Sequence, residues 1–223
     1  MDTLSLLCRY LYPRSFTGLV HRLPFGLYTK ECPRSPGNEA EALLLVEKYP
    51  GRHPILIMMA VAGQTLDKVF YRLSYTERKQ LSKDLKSVVS QLRCIPNQTP
   101  YIFGNSHGGP LRNHRFPSGT CGPFNSIFDF KDFLVHPYVR KETKEKISAV
   151  YARTYRSVFT HADLYPSNIM LDRGCLSGIV DWECAGFYPE YWEYTKLMYD
   201  AEMFPEVRQI ILRRSRRKAM RNN

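Results

Sequence analysis

The alternation of apolar and polar residues predicts a strand-rich first part of the chain. Residues 17–30 (TGLVHRLPFGLYTK) alternate and contain turn formers, which predicts two short strands. A helix is predicted over 38–49, where an asparagine at the N-cap position and early acidic residues precede good helix formers. Residues 53–61 (HPILIMMAV) form a continuous apolar run of strand length, which predicts a strand buried on both faces. We expect a turn at 62–66 (AGQTL).

Helical spacing dominates the middle of the chain. The capping-box pattern S-x-x-E at 74–77 precedes a long amphipathic helix. Its apolar residues recur every three or four positions and are Leu81, Leu85, Val88, Leu92 and Ile95. Prolines and glycines crowd residues 96–125, which predicts a long ordered loop or a pair of hairpins. Helices are expected at 127–136 and 142–157.

The pattern returns to strands in the last third of the chain. Strands are predicted at 157–160 (SVFT), 169–172 (IMLD) and 176–182 (LSGIVDW), and a tight turn at 172–175 (DRGC) joins the last two. The order of strands and helices, without an internal repeat, predicts an α+β fold. Within it we expect a small sheet-rich N-terminal lobe and a mostly helical C-terminal lobe.

The composition is that of an ordinary globular protein. The chain has 223 residues, of which 43% are hydrophobic, 13% aromatic and 24% charged, enough to form one domain or two small lobes. No apolar run approaches the roughly 18 residues that a membrane span needs. The start (MDTLSLLCRYLYPR) lacks the basic leader of a secretory signal. We therefore expect a cytoplasmic protein, or a nuclear one by way of its basic tail.

The net charge of +11 is concentrated at the C-terminal end. Residues 208–223 contain seven arginines and lysines and no acidic residue, so the rest of the chain is only mildly basic. A solvated end is the simplest interpretation, and nuclear import or nucleic-acid binding are the alternatives. Six scattered cysteines without C-x-x-C spacing favour reduced thiols over disulfides or a zinc site.

Polar residues with a chemical use lie around the predicted C-terminal hairpin. HADLYPSNIMLD (161–172) places Asp163 and Asn168 five residues apart, and GIVDWE adds Asp181. A hairpin returns Asn168 and Asp181 to the same end, within reach of one ion. Amide and carboxylate oxygens suit Mg²⁺, and a carboxylate beside an alcohol can accept its proton, which together serve phosphoryl transfer. Taken alone, a loop of Asp, Pro, Ser and Asn is also a common turn.

The pattern H-x-D-L-x-x-x-N, followed by [IV]-D-W-E-x-A-G, resembles the aminoglycoside phosphotransferase family, which shares the protein-kinase-like fold. Further similarity at RLPFGLYTK, NEAEAL and GGP…CGPFNS is greatest to fungal members. The resemblance implies a two-lobe, kinase-like α+β fold. It places an N-terminal nucleotide-binding lobe at 1–61, a C-terminal catalytic lobe at 62–204 and a basic tail at 205–223.

This resemblance implies a Mg²⁺- and ATP-dependent phosphotransferase acting on a hydroxyl of a small molecule. Asp163 then is the catalytic base, and His161 lies just inside the loop and holds its backbone. Asn168 and Asp181 are the expected metal ligands. The expected ligands are a nucleotide and a small hydroxylated acceptor, with no indication of a membrane or a partner protein.

The resemblance also assigns nucleotide-binding residues in the first part of the chain. Lys30 matches the strand lysine that contacts the nucleotide phosphates, and Glu39 matches the helix glutamate that orients this lysine. Residues 57–61 (IMMAV) match the connector between the lobes, whose backbone binds adenine. The connector residues assigned to the nucleotide are Met58, Met59 and Val61.

Departures from the family pattern keep a second interpretation open, a kinase-like binding module that no longer catalyses. Tyr49 leads to Ile55 with no room for the extra strand that family members usually have there, and no Gly-rich phosphate loop is present. Tyr165 stands where a histidine is often found, and the basic tail replaces a further helix. The sequence does not identify the acceptor. An aminoglycoside is polycationic and calls for a pocket rich in acidic residues, but no cluster of acidic residues is visible beyond Glu183, Glu190 and Glu193.

Overall fold

The computed structural model describes residues 20–22, 27–31, 55–135 and 152–195. Its strands are β1 (Val20–Arg22), β2 (Leu27–Glu31), β3 (Ile55–Met59), β4 (Gln64–Thr65), β5 (Gly104–Asn105), β6 (Leu111–Arg112), β7 (Thr120–Cys121), β8 (Ser157–Thr160), β9 (Ile169–Asp172), β10 (Cys175–Ile179) and β11 (Gly186–Pro189). Its helices are α1 (Leu66–Val69), α2 (Tyr75–Leu92) and α3 (Ile127–Val135), with 3₁₀ turns at Phe70–Arg72, Pro166–Asn168 and Trp182–Cys184. Residues 192–195 are also helical. None of the helices in these ranges has the length and apolar character to cross a membrane. Helices combined with small antiparallel sheets confirm the predicted α+β class.

The N-terminal sheet has the antiparallel order β1–β2–β3. Val20 pairs with Lys30, and Leu27 pairs with Met59. The two strands predicted within 17–30 and the apolar strand predicted within 53–61 are therefore confirmed. The helix predicted at 38–49 and the tail at 205–223 lie outside the described residues.

The predicted C-terminal hairpin is present as β9 and β10, joined by a two-residue turn. Asp172 pairs with Cys175, and the residues between them, Arg173 and Gly174, have φ values of 48° and 79°. Two successive positive φ values characterise the hairpin turn whose twist matches that of the flanking strands. Glycine is suited to the second position because it has no Cβ to oppose a positive φ.

A short strand occupies part of the region expected to be only a turn. In β4, Gln64 pairs with Leu171 and Thr65 with Met170 of β9. The second sheet therefore has the order β10–β9–β4. The prediction of a simple turn was wrong because β9 offers unpaired backbone groups on one edge, and a passing segment satisfies them.

Helix α2 begins at the predicted capping box and packs on the hairpin. Ser74 Oγ accepts a 3.3 Å hydrogen bond from Glu77 N, and Ser74 N donates to Glu77 Oε2 at 2.7 Å. The helix ends at Leu92, so Ile95 lies beyond it and is 43% exposed, contrary to the prediction. The cluster that α2 forms with α1 and β9 consists of Leu66, Phe70, Leu73, Leu81, Leu85, Ile169 and Leu171.

Residues 96–125 form an ordered segment with short strands, as predicted. Phe103 and Phe124 exchange backbone hydrogen bonds of 3.1 and 2.8 Å, which close the segment at its base. Within it β6 pairs with β7. A second core gathers the aromatic residues of this segment with those of α3 and the C-terminal region; its larger members are Phe103, Leu111, Phe116, Phe130, Tyr188 and Trp192.

Strands β5, β11 and β8 form another antiparallel sheet. Ser157 pairs with Pro189, and residues 152–156 are irregular. The helix expected at 142–157 is therefore wrong over its last residues, because pairing with β11 draws this part of the chain into the sheet. Residues 136–151 lie outside the described part of the chain.

Leu81→Ala should lower the free energy of unfolding by about 2–5 kcal/mol, because it leaves a cavity between α2 and the hairpin. Leu81 is 2% exposed and shares its cluster with Ile169 and Leu171. Denaturant unfolding monitored by circular dichroism measures this loss. Lys83→Ala, on an exposed position of the same helix, is the matched control and should change stability little. Equal effects of the two variants would contradict the packing described.

Candidate functional site

The β9–β10 hairpin brings Asn168 and Asp181 together. Asn168 ends a 3₁₀ turn immediately before β9, and its carbonyl accepts a 2.9 Å hydrogen bond from Val180 N. The neighbouring pair is Ile169 opposite Ile179. Since Asp181 follows Val180, the predicted return of these two residues to one end of the hairpin is what the backbone pairing produces.

Asn168 also contacts Asp163. Its side-chain nitrogen donates hydrogen bonds to the backbone oxygen of Asp163 at 2.9 Å and to Asp163 Oδ2 at 3.0 Å. Both residues are 8% exposed. One asparagine therefore links the carboxylate expected to be the base to the strand end that carries Asp181.

The donor atoms at this point suit a hard cation. Because the amide nitrogen of Asn168 is used by Asp163, the amide oxygen is the atom left for a metal ion; it also accepts a 3.4 Å hydrogen bond from Ser167 Oγ. Asp181 adds a carboxylate. Its backbone is in the left-handed region, with φ 67° and ψ 66°, a conformation that non-glycine residues seldom adopt and that recurs at functional sites. An amide oxygen and a carboxylate fit Mg²⁺, which takes oxygen ligands and retains water.

His161 lies inside the loop 161–168 and is fully buried. Asp163 N donates to its Nδ1 at 3.2 Å, and its Nε2 lies 3.2 Å from the carbonyl oxygen of Val180. Because Nδ1 accepts, the ring proton is on Nε2 and is donated to Val180. Burial lowers the pKa of His161 to about 4, against the opposing effect of the Asp163 charge. A neutral imidazole thus ties the base to the strand that ends at Asp181.

The backbone before Asp163 is held by two residues that the sequence did not assign to the site. Ala162 has a positive φ of 66°. Glu193 Oε2 accepts hydrogen bonds from His161 N at 2.9 Å and from Ala162 N at 3.3 Å. On the other side, Asn113 Nδ2 donates to the carbonyl oxygen of Ala162 at 3.0 Å. Asn113 and Glu193 are 1% and 3% exposed, so the unusual conformation of Ala162 is enclosed by buried partners.

Glu193 is unusual among these residues because it is an acid with little access to water. Burial raises its pKa to about 7, although the two backbone hydrogen bonds favour the carboxylate. Its other oxygen, Oε1, is buried without a hydrogen-bond partner in the described part of the chain. The loop is therefore braced by a group that changes its protonation near neutral pH.

The end of the expected connector contacts the hairpin. Ser177 Oγ donates to the carbonyl oxygen of Ala62 at 2.6 Å. A Cβ on Gly178 would lie 2.7 Å from Val61 Cγ1, so this close approach requires glycine. Val61, assigned to the nucleotide, is thus adjacent to the strand that leads to Asp181.

For the other residues assigned to the nucleotide, the structure describes at most the backbone. Met58 pairs with Tyr28 and Met59 with Leu27, and Lys30 lies in β2 opposite Leu56. The side chains of Lys30, Met58 and Met59 are outside the described part of the structure, as is the whole of Glu39. The expected Lys30–Glu39 contact therefore stays a prediction.

Comparison with known proteins identifies the kind of protein to which this geometry belongs. The chain matches the model of the phosphotransferase enzyme family over residues 49–221. No curated protein matches it at a significant level. The greater similarity to fungal members of the family stays a prediction.

Solved structures share the fold at low sequence identity. The GDP complex of aminoglycoside 2'-phosphotransferase-IIIa has a TM-score of 0.53 at 16% identity, covering 88% of this chain and 73% of its own. The GDP and kanamycin complex of APH(2")-IIia has a TM-score of 0.54 at 16% identity, with coverages of 88% and 73%. A ternary complex of a thermostable APH(4)-Ia mutant with ADP and hygromycin B has a TM-score of 0.50 at 14% identity, with coverages of 84% and 74%. These likenesses confirm the expected fold, that of the kinase-like phosphotransferases.

The buried neutral state of His161 should give this residue a measurable pH signature. In the unfolded chain the histidine binds a proton near pH 6.5, whereas in the folded chain its pKa is about 4. Its contribution to stability is therefore complete above about pH 6.5 and falls as the pH drops toward 4. The free energy of unfolding is measured by denaturant unfolding for the wild type and for His161→Gln. The value of the wild type minus that of the variant should fall by about 3 kcal/mol as the pH is lowered from about 6.5 to about 4.

Glu193 makes the subtraction of the variant necessary. Its folded pKa of about 7 exceeds its ordinary value of 4.5, so its own contribution is lost as the pH rises through 7, the opposite direction. Because both proteins contain Glu193, its effect cancels in the difference. A difference that does not change with pH would contradict the burial of a neutral His161.

Proposed function

Because this chain belongs to the phosphotransferase enzyme family, we propose that it transfers the terminal phosphate of ATP to a hydroxyl of a small molecule, with Mg²⁺ as cofactor. The observation that carries the proposal is the bonding of Asn168. Its side chain donates to Asp163 at 2.9 and 3.0 Å, and its backbone accepts from Val180 at 2.9 Å. A base and two oxygen donors thereby converge at one end of a hairpin, as phosphoryl transfer requires.

Asp163 is the proposed base. Its carboxylate accepts the proton of the acceptor hydroxyl while the new bond forms between that oxygen and the terminal phosphorus. The bond from this phosphorus to the bridging oxygen breaks, and ADP leaves with the electron pair. The hydrogen bond from Asn168 to Asp163 Oδ2 fixes the rotamer of the carboxylate. Positioned bases of this kind contribute about 10²–10⁴ to the rate.

Asn168 and Asp181 are the proposed metal ligands. When bound, Mg²⁺ supplies positive charge to the nucleotide phosphates. The protein contributes the oxygens and their spacing, which the backbone hydrogen bond between Val180 and Asn168 sets. His161, through both ring nitrogens, keeps the Asp163 backbone in register with this end of the hairpin.

The proposed nucleotide site uses residues from the first part of the chain. We assign Lys30, oriented by Glu39, to the phosphates and Met58, Met59 and Val61 to the adenine. The hydrogen bond between Ser177 and Ala62 supports this assignment. Ala62 directly follows the connector, so the bond holds the end of the connector beside the β9–β10 hairpin, which carries the proposed metal ligands. The division into lobes at 1–61 and 62–204 belongs to the same proposal.

A second candidate function, a binding module without catalysis, is favoured by one observation. Few residues join Tyr49 to Ile55, which leaves no room for an additional strand at that point. The two candidates differ in a direct measurement. Calorimetric titration with a non-hydrolysable ATP analogue should give Mg²⁺-dependent binding if the phosphotransferase proposal is right, and no binding if the module has lost the nucleotide site.

Asp163→Asn should abolish phosphate transfer and leave Mg²⁺-dependent nucleotide binding intact. Asparagine can still accept the hydrogen bond from Asn168, but it cannot take up the acceptor proton. ADP release in the presence of acceptor measures the first property and calorimetry the second. Asp172→Asn, at the other end of the same hairpin and paired with Arg173 at 3.3 Å, is the matched control. Undiminished turnover of Asp163→Asn would overturn the assignment of the base.

Asp181→Asn should raise the Mg²⁺ concentration needed for nucleotide binding, because it removes the charged ligand and retains a side chain of the same shape. Nucleotide affinity measured across a Mg²⁺ titration tests this, with nucleotide alone as the baseline. The variant should approach the wild type when Mg²⁺ is absent. An unchanged Mg²⁺ dependence would remove Asp181 from the proposed metal site.

A further inference from the structure

The segment that contains β6 lies against the proposed catalytic centre at two points. Asn113 Nδ2 donates to the carbonyl oxygen of Ala162, the residue before Asp163. Tyr188 Oη lies 2.9 Å from the carbonyl oxygens of both Arg112 and Cys184, which ties the segment to the 3₁₀ turn after Asp181. Residues 112–114 therefore lie beside both the loop that carries Asp163 and the 3₁₀ turn that follows Asp181.

Two of these side chains carry or can acquire positive charge, and both face one carboxylate. Arg112 Nη2 lies 3.8 Å from Glu183 Oε2, and His114 Nε2 lies 3.9 Å from Glu183 Oε1. The charges of Asp163 and Arg112 act in opposite directions on the pKa of the buried Cys184 thiol, the former raising it and the latter lowering it. A single buried thiol thus lies within the field of both the proposed base and the guanidinium.

The same contacts argue against a metal ion at this point. The donor atoms of His114, Glu183 and Cys184 lie within 4.8 Å of one another. However, Cys184 is 0% exposed, and the Arg112 guanidinium lies 3.8 Å from Glu183, so a cation bound here would lie close to a positive charge. This cluster therefore carries no proposal of a metal site.

The acidic side chains of this region already have partners within the protein. Glu183 faces Arg112 and His114. Glu190 Oε2 pairs with Arg156 Nη2 at 3.1 Å. Glu193 is buried beneath the loop and accepts backbone hydrogen bonds. Among the described residues, none of these three carboxylates is disposed to receive a polycationic acceptor.

The following inference rests on the proposed function. We infer that the acceptor reaches Asp163 past Arg112 and His114, that it carries an anionic group, a carboxylate or a phosphate, and that these two side chains bind this group. The Arg112–Glu183 distance of 3.8 Å exceeds the roughly 2.7–2.9 Å of a charge-assisted hydrogen bond. Arg112 is 19% exposed at its side chain and His114 is 60% exposed. The planar guanidinium presents five donors, so it can receive an anion in bidentate fashion beside Glu183.

The experiment compares acceptors that differ in charge on one skeleton. ADP release by the full chain is measured in the presence of Mg²⁺ and ATP. The first series of acceptors is glucose, glucuronate, glucose 6-phosphate and glucosamine. The second series consists of the neutral, carboxylate, phosphate and amine compounds built on glycerol. The anionic members should have the highest kcat/KM within each series, and the carboxylate and phosphate arms identify the preferred anion. Kanamycin is added as a polycationic acceptor. The inference would be overturned by a higher kcat/KM for the amine, for the neutral member or for kanamycin, or by equal values across the charges.

Variants identify the residues responsible. Arg112→Gln should lower kcat/KM for the anionic acceptors about 10- to 100-fold, the range expected for a lost hydrogen bond to a charged group, and lower kcat/KM for neutral acceptors far less. Glu183→Gln should raise kcat/KM for anionic acceptors because it removes the competing carboxylate. Arg156→Gln, which removes an arginine from the Glu190 ion pair, is the matched control and should resemble the wild type. Anion turnover that Arg112→Gln leaves unaffected would exclude Arg112.

Calorimetry separates this inference from the proposed function. If the protein binds Mg²⁺ and an ATP analogue, the phosphotransferase proposal stands, and absence of heat with every anionic acceptor overturns the inference alone. If the protein does not bind the nucleotide, the proposed function fails. Even without nucleotide binding, an anionic compound that binds the wild type but not Arg112→Gln would support the anion site. If the protein binds neither the nucleotide nor an anionic compound, both the proposed function and the inference are overturned.

Discussion

The left-handed conformation of Ala162 is the constraint on which the rest of the site depends. A non-glycine residue held there costs roughly 1–3 kcal/mol and persists only where neighbouring groups determine it. Here the neighbours are the carboxylate of Glu193, which accepts from Ala162 N, and the amide of Asn113, which donates to its carbonyl oxygen. With both backbone polar groups of Ala162 engaged, Asp163 is presented toward Asn168 instead of continuing the direction of β8.

Local parts of the fold could be predicted because their causes lie within a few residues. The capping box at 74–77 and the two-residue turn in DRGC are formed by side chains and backbone preferences adjacent in sequence. The two-residue turn fixes the register of the hairpin, and this register brings Asn168 beside Val180. For this reason the spacing of Asn168 and Asp181 could be interpreted before the structure was known, as could the α+β class.

The remainder of the site depends on contacts between distant parts of the chain. Asn113 is 49 residues from Ala162 and Glu193 is 31 residues away. Nothing near Asn113 marks it, since polar residues are ordinary in a segment rich in glycine and proline. Glu193 gave a partial signal, an acid within the apolar and aromatic stretch EYWEY, which a buried partner would have to satisfy. Strand β4 was missed for the same reason, because it exists through its pairing with β9.

The attachment of Asn113 to Ala162 has a consequence for how new substrate preferences can arise in this protein. The residues on either side of it, Arg112 and His114, are those inferred to bind the acceptor, whereas Asn113 itself supports the loop that carries Asp163. Insertions or backbone shifts in this segment would disturb both at once. Within this segment, a change of acceptor preference that leaves the catalytic loop in place is therefore limited to side-chain replacement at residues 112 and 114.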